Sequence, residues 1–173
     1  MCGITALYKF TFFDQQDRSK LELSNREMHY RGPDDEGLWC NEICGLAHTR
    51  LSIIGLQKGR QPLFNEDKSL VLICNGEIYN YIELKRLLEA KGHFFNSDTD
   101  SETILHLYEE YGIHCLDYLR GMFAFCLWDN RKQQLFAARD RIGEKSLYYS
   151  FLPTGIVFCT ELKTILKHFL DKK

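Results

Sequence analysis

The chain has 173 residues, 45% hydrophobic and 27% charged, with a formal net charge of -2. That is long enough for one domain with a sizeable core, and the balance is that of an ordinary soluble globular protein. Its scattered, nearly balanced charge gives no footprint for nucleic acid or an anionic membrane, and the longest apolar run, "MFAFCLW" at 122–128, is far too short to span a bilayer.

Reading in chain order, "ITALYKF" alternates enough for a first strand, and Leu21, Asn25 and Met28 fall at helical spacing before Gly32-Pro33. "GLWCNEICGLAHTRLSI" reads as two strands turning near Asn41-Glu42, and "SLVLICNGE" as a buried strand ending at Asn75-Gly76. Two helices follow. In 81–91, Tyr81, Leu84 and Leu88 share a face and Gly92 suits the position after the end. In 100–111, Ile104, Leu107 or Tyr108, and Tyr111 share a face, Gly112 is the stop, and Thr99 with Glu102 has capping-box spacing. Strand-like runs at "MFAFCLWD", "QLFAARD", "SLYYSF" and "GIVFCTE" come next, then an amphipathic helix over 161–169. Helices segregated between two sets of antiparallel strands predict an α+β protein, a four-layer α/β/β/α sandwich of two stacked sheets.

The seven cysteines are Cys2, Cys40, Cys44, Cys74, Cys115, Cys126 and Cys159. They form no CxxC pair or zinc-ligand spacing, so no metal site is expected, and reduced thiols in a cytoplasmic protein are. Cys74, Cys126 and Cys159 lie in apolar runs, where a free thiol behaves as a small hydrophobe. Met1 leads directly into Cys2-Gly3, with no basic and long apolar signal-peptide segment.

Cys2 has two readings. It is a chance cysteine at a frayed end, or the nucleophile of a chain whose Met1 is removed. In the second case the thiol and a free α-amine share one residue, and an amine of pKa about 7.7–8.0 can serve as its base. Arg50, ending "LAHTRLSI", is either an ion-pair partner or a bidentate grip for an α-carboxylate. Asn75-Gly76 is either a turn or a pair of converging donors, as an oxyanion hole requires. Asp100, in "SDTDSET", belongs to a helix start or receives an ammonium group. His48 is given no role, and "RGPDDEG" and "ARDRIGEKSLYY" read as a turn and a charged loop.

Taken together and in order, "MCGI", "RGPD", "AHTRLSI", "NGEIYN", "DTDSE", "GMFAF", "ARDRIGEKSLYY" and "TELK" resemble the glutaminase domain of glutamine-hydrolysing asparagine synthetases. These are class II glutamine amidotransferases of the N-terminal nucleophile hydrolase superfamily, and the resemblance runs from Met1 to about Lys167. It implies that Cys2 attacks the carboxamide of L-glutamine while Asn75 and Gly76 hold the oxyanion. It further implies that Arg50 grips the α-carboxylate, that Leu51, Ser52, Ile53 and Ile54 line the site, and that Glu77 and Asp100 take the α-ammonium.

Such enzymes carry a larger C-terminal synthetase domain, marked by a Ser-Gly-Gly-x-Asp-Ser loop, which residues 1–173 lack. The expectation is therefore a glutaminase domain over 1–173 that cannot make asparagine alone and needs no cofactor. ATP and magnesium belong to the synthetase domain, and ammonia goes to a synthetase domain or subunit. The alternatives are a non-catalytic glutamine-binding or regulatory module, or a glutaminase feeding a different acceptor.

Overall fold

Among residues 1–53 and 59–170, which the computed structural model describes, nine strands and four α-helices form. One sheet has the order β2 (Asp35–Cys40), β3 (Cys44–Arg50), β1 (Gly3–Lys9), β9 (Gly155–Cys159), β8 (Tyr148–Leu152). The other has the order β4 (Leu63–Phe64), β5 (Leu70–Ile78), β6 (Gly121–Asp129), β7 (Gln134–Arg139). All pairings between neighbouring strands are antiparallel.

Alternation along the strands divides the core into three slabs. Ile4 and Ala6 of β1 and Cys44 and Leu46 of β3 pack against Val71 and Ile73 of β5 and Ala124, Cys126 and Trp128 of β6, between the sheets. Leu7, Ala47, Val157 and Cys159 face the other way. They bury Leu21 and Met28 of α1 (Gln15–Met28) and Ile165 of α4 (Leu162–His168). On the outer face of the second sheet, Leu70, Leu72, Cys74, Phe123 and Phe125 carry α2 (Tyr81–Ala90) and α3 (Glu102–Tyr111) through Leu84, Leu88, Ile104 and Leu107. The layers are thus α/β/β/α, as expected. Helices of ten residues or fewer are marginal alone in water, so this docking, at roughly 1.5–3 kcal/mol per fully buried large side chain, holds α2, α3 and α4.

Three local expectations are corrected. Helix α1 starts earlier than the Leu21–Met28 spacing suggests, at a capping box in which Asp14 Oδ1 accepts the Asp17 N–H at 2.9 Å and Asp17 Oδ2 accepts that of Asp14 at 3.1 Å. No Thr99–Glu102 capping box forms, because the Glu102 carboxylate turns back to accept the N–H groups of Asn96 and Ser97, both at 2.7 Å. It thereby ties the preceding loop to α3. Finally, β5 does not end at Asn75-Gly76 but stays paired with β6 through Ile78 opposite Gly121. Glycine is needed there for close approach and not for a turn: a Cβ on Gly76 would lie 2.2 Å from the Met122 carbonyl oxygen.

Candidate active site

Cys2 precedes β1 in the alternation that points Ile4 and Ala6 between the sheets, and Arg50 continues the same face of β3 from Leu46 and His48. Both therefore open into the gap at one end of the sandwich. There a cleft of about 200 Å³ is lined by Cys2, Arg50, Leu51 and Ile53 from the first sheet and its exit loop. Asn75, Gly76 and Glu77 line it from β5, and Thr99, Asp100 and Ser101 from the segment leading into α3.

Cys2 is fixed from several sides. Its Sγ donates to the Leu51 carbonyl at 3.7 Å, and its own carbonyl accepts from Arg31 Nε at 3.2 Å. Arg31 is in turn paired with Glu161 at 3.0 Å. Burial pushes the Cys2 thiol up; Leu51, the N-terminal ammonium and Arg50 partly offset this. With Met1 in place, that ammonium donates to the Arg31 carbonyl at 3.0 Å, and the nitrogen of Cys2 is an amide.

The "RGPD" segment, read from sequence as a turn with solvated acidic residues, is the bed on which Arg50 lies. A Cβ on Gly32 would come 2.5 Å from Arg50 N, so only glycine allows the turn to rest on that backbone. Pro33 bridges Arg50, the Asp34 N–H donates to the Arg50 carbonyl at 3.0 Å, and Asp34 Oδ2 accepts the Ser52 N–H at 2.7 Å. Ser52 is thus tied to Asp34 through its backbone N–H. Ile54 lies outside the described residues.

The free edge of β5 explains Asn75-Gly76. Backbone groups two residues apart point to the same edge of a strand. The Cys74 N–H is taken by Gln61 Oε1 at 2.6 Å, the Cys74 carbonyl by Gln61 Nε2 at 3.1 Å, and the Ile78 N–H by Asp100 Oδ2. The Gly76 N–H, between them, faces that same edge and the cleft. The Asn75 side chain, 2% exposed, lies on the sheet-to-sheet face, and its Nδ2 has no hydrogen-bond partner among the described residues. Both residues line the cleft that Cys2 also lines. His48 also bonds the Cys74 carbonyl, at 3.2 Å. Burial drives its pKa down to about 3, which suits a neutral ring donating to that carbonyl.

Asp100 is 4% exposed. Burial raises its pKa, the N–H groups of Ile78 and Ser101 oppose the rise, and the neighbouring Glu77 charge adds to it. A buried carboxylate beside a second one is a natural receptor for an ammonium group.

Sequence reasoning did not single out Gln61, Thr99, Ser101, Met122 or Lys145, all of which line the cleft. Lys145 is presented by a loop that Asp140 organises: its carboxylate accepts the N–H groups of Glu144 and Lys145, both at 2.9 Å, and that of Phe123 at 3.3 Å. These bonds hold the Asp140 pKa below the usual aspartate value although burial acts the other way. The available signal was the buried Asp140 inside "ARDRIGEKSLYY".

One cleft at the end of the two antiparallel sheets thus brings together Cys2, Arg50, Asn75, Gly76 and Asp100. Residues 1–173 match the model of the glutamine amidotransferase domain, and the chain belongs to that family. Within it, the chain is 46% identical over 166 residues to a glutamine-hydrolyzing asparagine synthetase of Zea mays, covering 95% of this chain and 28% of that protein. It is 47% identical over 170 residues to asparagine synthetase 2 of Bacillus subtilis (strain 168), covering 97% and 22%. The chain thus spans only about a quarter of the length of these curated relatives, 28% of one and 22% of the other.

Among solved structures, glutamine phosphoribosylpyrophosphate amidotransferase from B. subtilis, complexed with ADP and GMP, superposes with a TM-score of 0.75 at 19% identity, covering 95% of this chain and 43% of that one. An allosteric regulatory enzyme of purine biosynthesis gives a TM-score of 0.78 at 18%, with the same coverage. The fold is the N-terminal nucleophile hydrolase fold that the resemblance implied. No helix among the described residues is long and apolar enough to cross a membrane.

Proposed function

We propose that this domain hydrolyses L-glutamine to glutamate and ammonia through the Cys2 thiol, and that the ammonia serves an asparagine-synthetase-type amidation in a partner domain or subunit. The observation that carries the reading is the buried, unpartnered Asn75 amide facing the same cleft as Cys2, joined there by the Gly76 N–H. Such donors act where charge develops, and losing one typically costs about 10²–10³ in rate.

Once Met1 is removed, the α-amine of Cys2 takes the thiol proton while Sγ bonds to the carboxamide carbon. The carbonyl oxygen becomes an oxyanion held by Asn75 and Gly76. The amine returns its proton to the departing nitrogen, the C–N bond breaks, and ammonia leaves a γ-glutamyl thioester. Water adds to the thioester, its proton passing through the same amine, and glutamate and the thiol are released. Arg50 takes the substrate α-carboxylate, and Asp100 with Glu77 the α-ammonium. The hydrolysis as written uses no cofactor. Seven unpaired thiols suit a reducing compartment such as the cytoplasm.

The test is Cys2→Ala, which should abolish glutaminase activity with an unchanged circular dichroism spectrum; undiminished turnover would sink the proposal. A diazo-ketone analogue of glutamine should label Cys2 alone. Cys40 is held at about 11 and Cys115 at about 12 by burial, and Cys44, Cys74, Cys126 and Cys159 are also raised by it. Intact mass should show a chain beginning at Cys2.

A further inference from the structure

On the helix-bearing flank of the second sheet, four side chains from three segments converge: Glu66 between β4 and β5, His93 after α2, and His106 and Glu109 on α3. One ligating atom of each lies within 4.8 Å of every other. His106 Nδ1 is 2.9 Å from Glu109 Oε2 and 3.7 Å from Glu66 Oε2. His93 Nδ1 is 3.5 Å from Glu109 Oε2 and 3.6 Å from Glu66 Oε1. A tetrahedral zinc site with bonds near 2.0–2.1 Å has ligand-to-ligand edges of about 3.4 Å, and these separations bracket that value.

We propose that Glu66, His93, His106 and Glu109 form a structural site for a divalent cation of the zinc class. Three of the four ligands are held from behind by a hydrogen bond. Glu110 Oε1 stands 3.2 Å from His93 Nε2, and Glu102 Oε1 stands 3.7 Å from His106 Nε2. The Phe94 N–H donates to Glu66 Oε1 at 2.9 Å, and Asn65 Nδ2 to Glu109 Oε1 at 2.8 Å. A carboxylate hydrogen-bonded behind the far nitrogen, as Glu110 is behind His93, is the outer arrangement that orients metal-ligating histidines and raises their basicity, whereas His106 Nε2 makes no hydrogen bond among the described residues.

Charge points the same way. Glu66, Glu102, Glu109 and Glu110 surround two imidazoles, and the cation paired here is Lys91 on Glu110. Even with both rings protonated, this group keeps an excess of negative charge. Two nitrogens and two carboxylates suit zinc, and four protein ligands make a closed, structural site rather than a catalytic one. None of the four lines the catalytic cleft. An ion there would tie the β4–β5 turn and the end of α2 to α3, the helix whose approach carries Asp100. Cysteine spacing hid the site from the sequence, since only His106 and Glu109 are neighbours on one helix.

The test uses the chain carrying Cys2→Ala, so that the cleft thiol takes no ion, stripped with a chelator and titrated with Co²⁺ and then Zn²⁺. The expected result is one equivalent of Co²⁺ with tetrahedral d–d absorption and no thiolate charge-transfer band, displaced by Zn²⁺. Glu110→Gln should weaken binding roughly 10–100-fold, and His93→Gln, which removes a ligand, by more. Absence of the tetrahedral spectrum, a thiolate band, or affinity unmoved by both variants would overturn the proposal and leave an ion-pair network only. If His93→Gln fails to fold, the Glu110→Gln comparison decides alone.

Discussion

Arg31 holds Cys2 by its carbonyl oxygen, at 3.2 Å from Nε, while its Nη1 is fixed by Glu161 at 3.0 Å. The planar guanidinium fork lets one side chain do both, and an ammonium cannot reproduce that geometry. Since a displacement of about 1 Å in a reacting group costs on the order of 10²-fold, Arg31→Lys should lower kcat for glutamine about 10–100-fold with little change in KM. Steady-state kinetics check this, and a kcat within twofold of wild type would detach Arg31 from the nucleophile.

Asn75→Ala removes a buried, unpartnered amide that the proposed mechanism uses as a donor to the transition state. We expect kcat to fall about 10²–10³-fold with KM nearly unchanged. Because an unmade buried hydrogen bond costs roughly 1–3 kcal/mol, thermal stability should hold or rise in the same variant. A large fall in Tm together with intact kcat would make Asn75 a structural residue.

Asp100 links pH to both binding and stability. Its folded pKa is raised by burial, so the folded chain holds the proton more tightly than the unfolded one, and stability is lost as pH rises through that value. Asp100→Asn should therefore raise Tm at pH 7, with the gap closing as pH falls below the folded pKa. The same variant should raise KM for glutamine about 10–100-fold, from a charge-assisted bond worth roughly 1.5–3 kcal/mol. Equal Tm at pH 7 and an unchanged KM would contradict both halves.

Gly76→Ala tests the close approach of β5 and β6. Its new Cβ meets backbone, 2.2 Å from Met122 O and 2.6 Å from Phe123 Cα, so neither strand can yield by turning a side chain. Overpacking of this kind costs typically about 1–3 kcal/mol. Chemical denaturation should show that loss, and glutaminase activity should drop with it; wild-type stability would mean that the strands separate freely.

The layers and the order of most elements were readable in the alternation of Ile4, Ala6, Val71 and Ile73 and the spacing of Leu84 and Leu88, because these residues follow burial directly. Local propensity failed where tertiary contacts outbid it. Asn75-Gly76 reads as a turn yet is mid-strand, and Glu102 reads as a cap yet serves Asn96 and Ser97. Cys2, Arg50, Asn75 and Asp100 were recognisable from a combination of motifs, and the structure brings them to one cleft. Gln61 and Asp34 were not, because their work is done on the backbone of Cys74, Arg50 and Ser52, which no spacing in the sequence reveals.

The cleft has one jaw on each sheet: Cys2 and Arg50 on the first, Asn75 and Gly76 on the second. On the proposed function, a glutamine molecule seated there would act as a rivet through the sandwich, resisting the sliding of one sheet over the other. Saturation with an unreactive glutamine analogue at 100 times its Kd should add about 2.7 kcal/mol to unfolding. Amide exchange should slow together at the facing ends of β3 and β5, so that the substrate stiffens the scaffold that cleaves it.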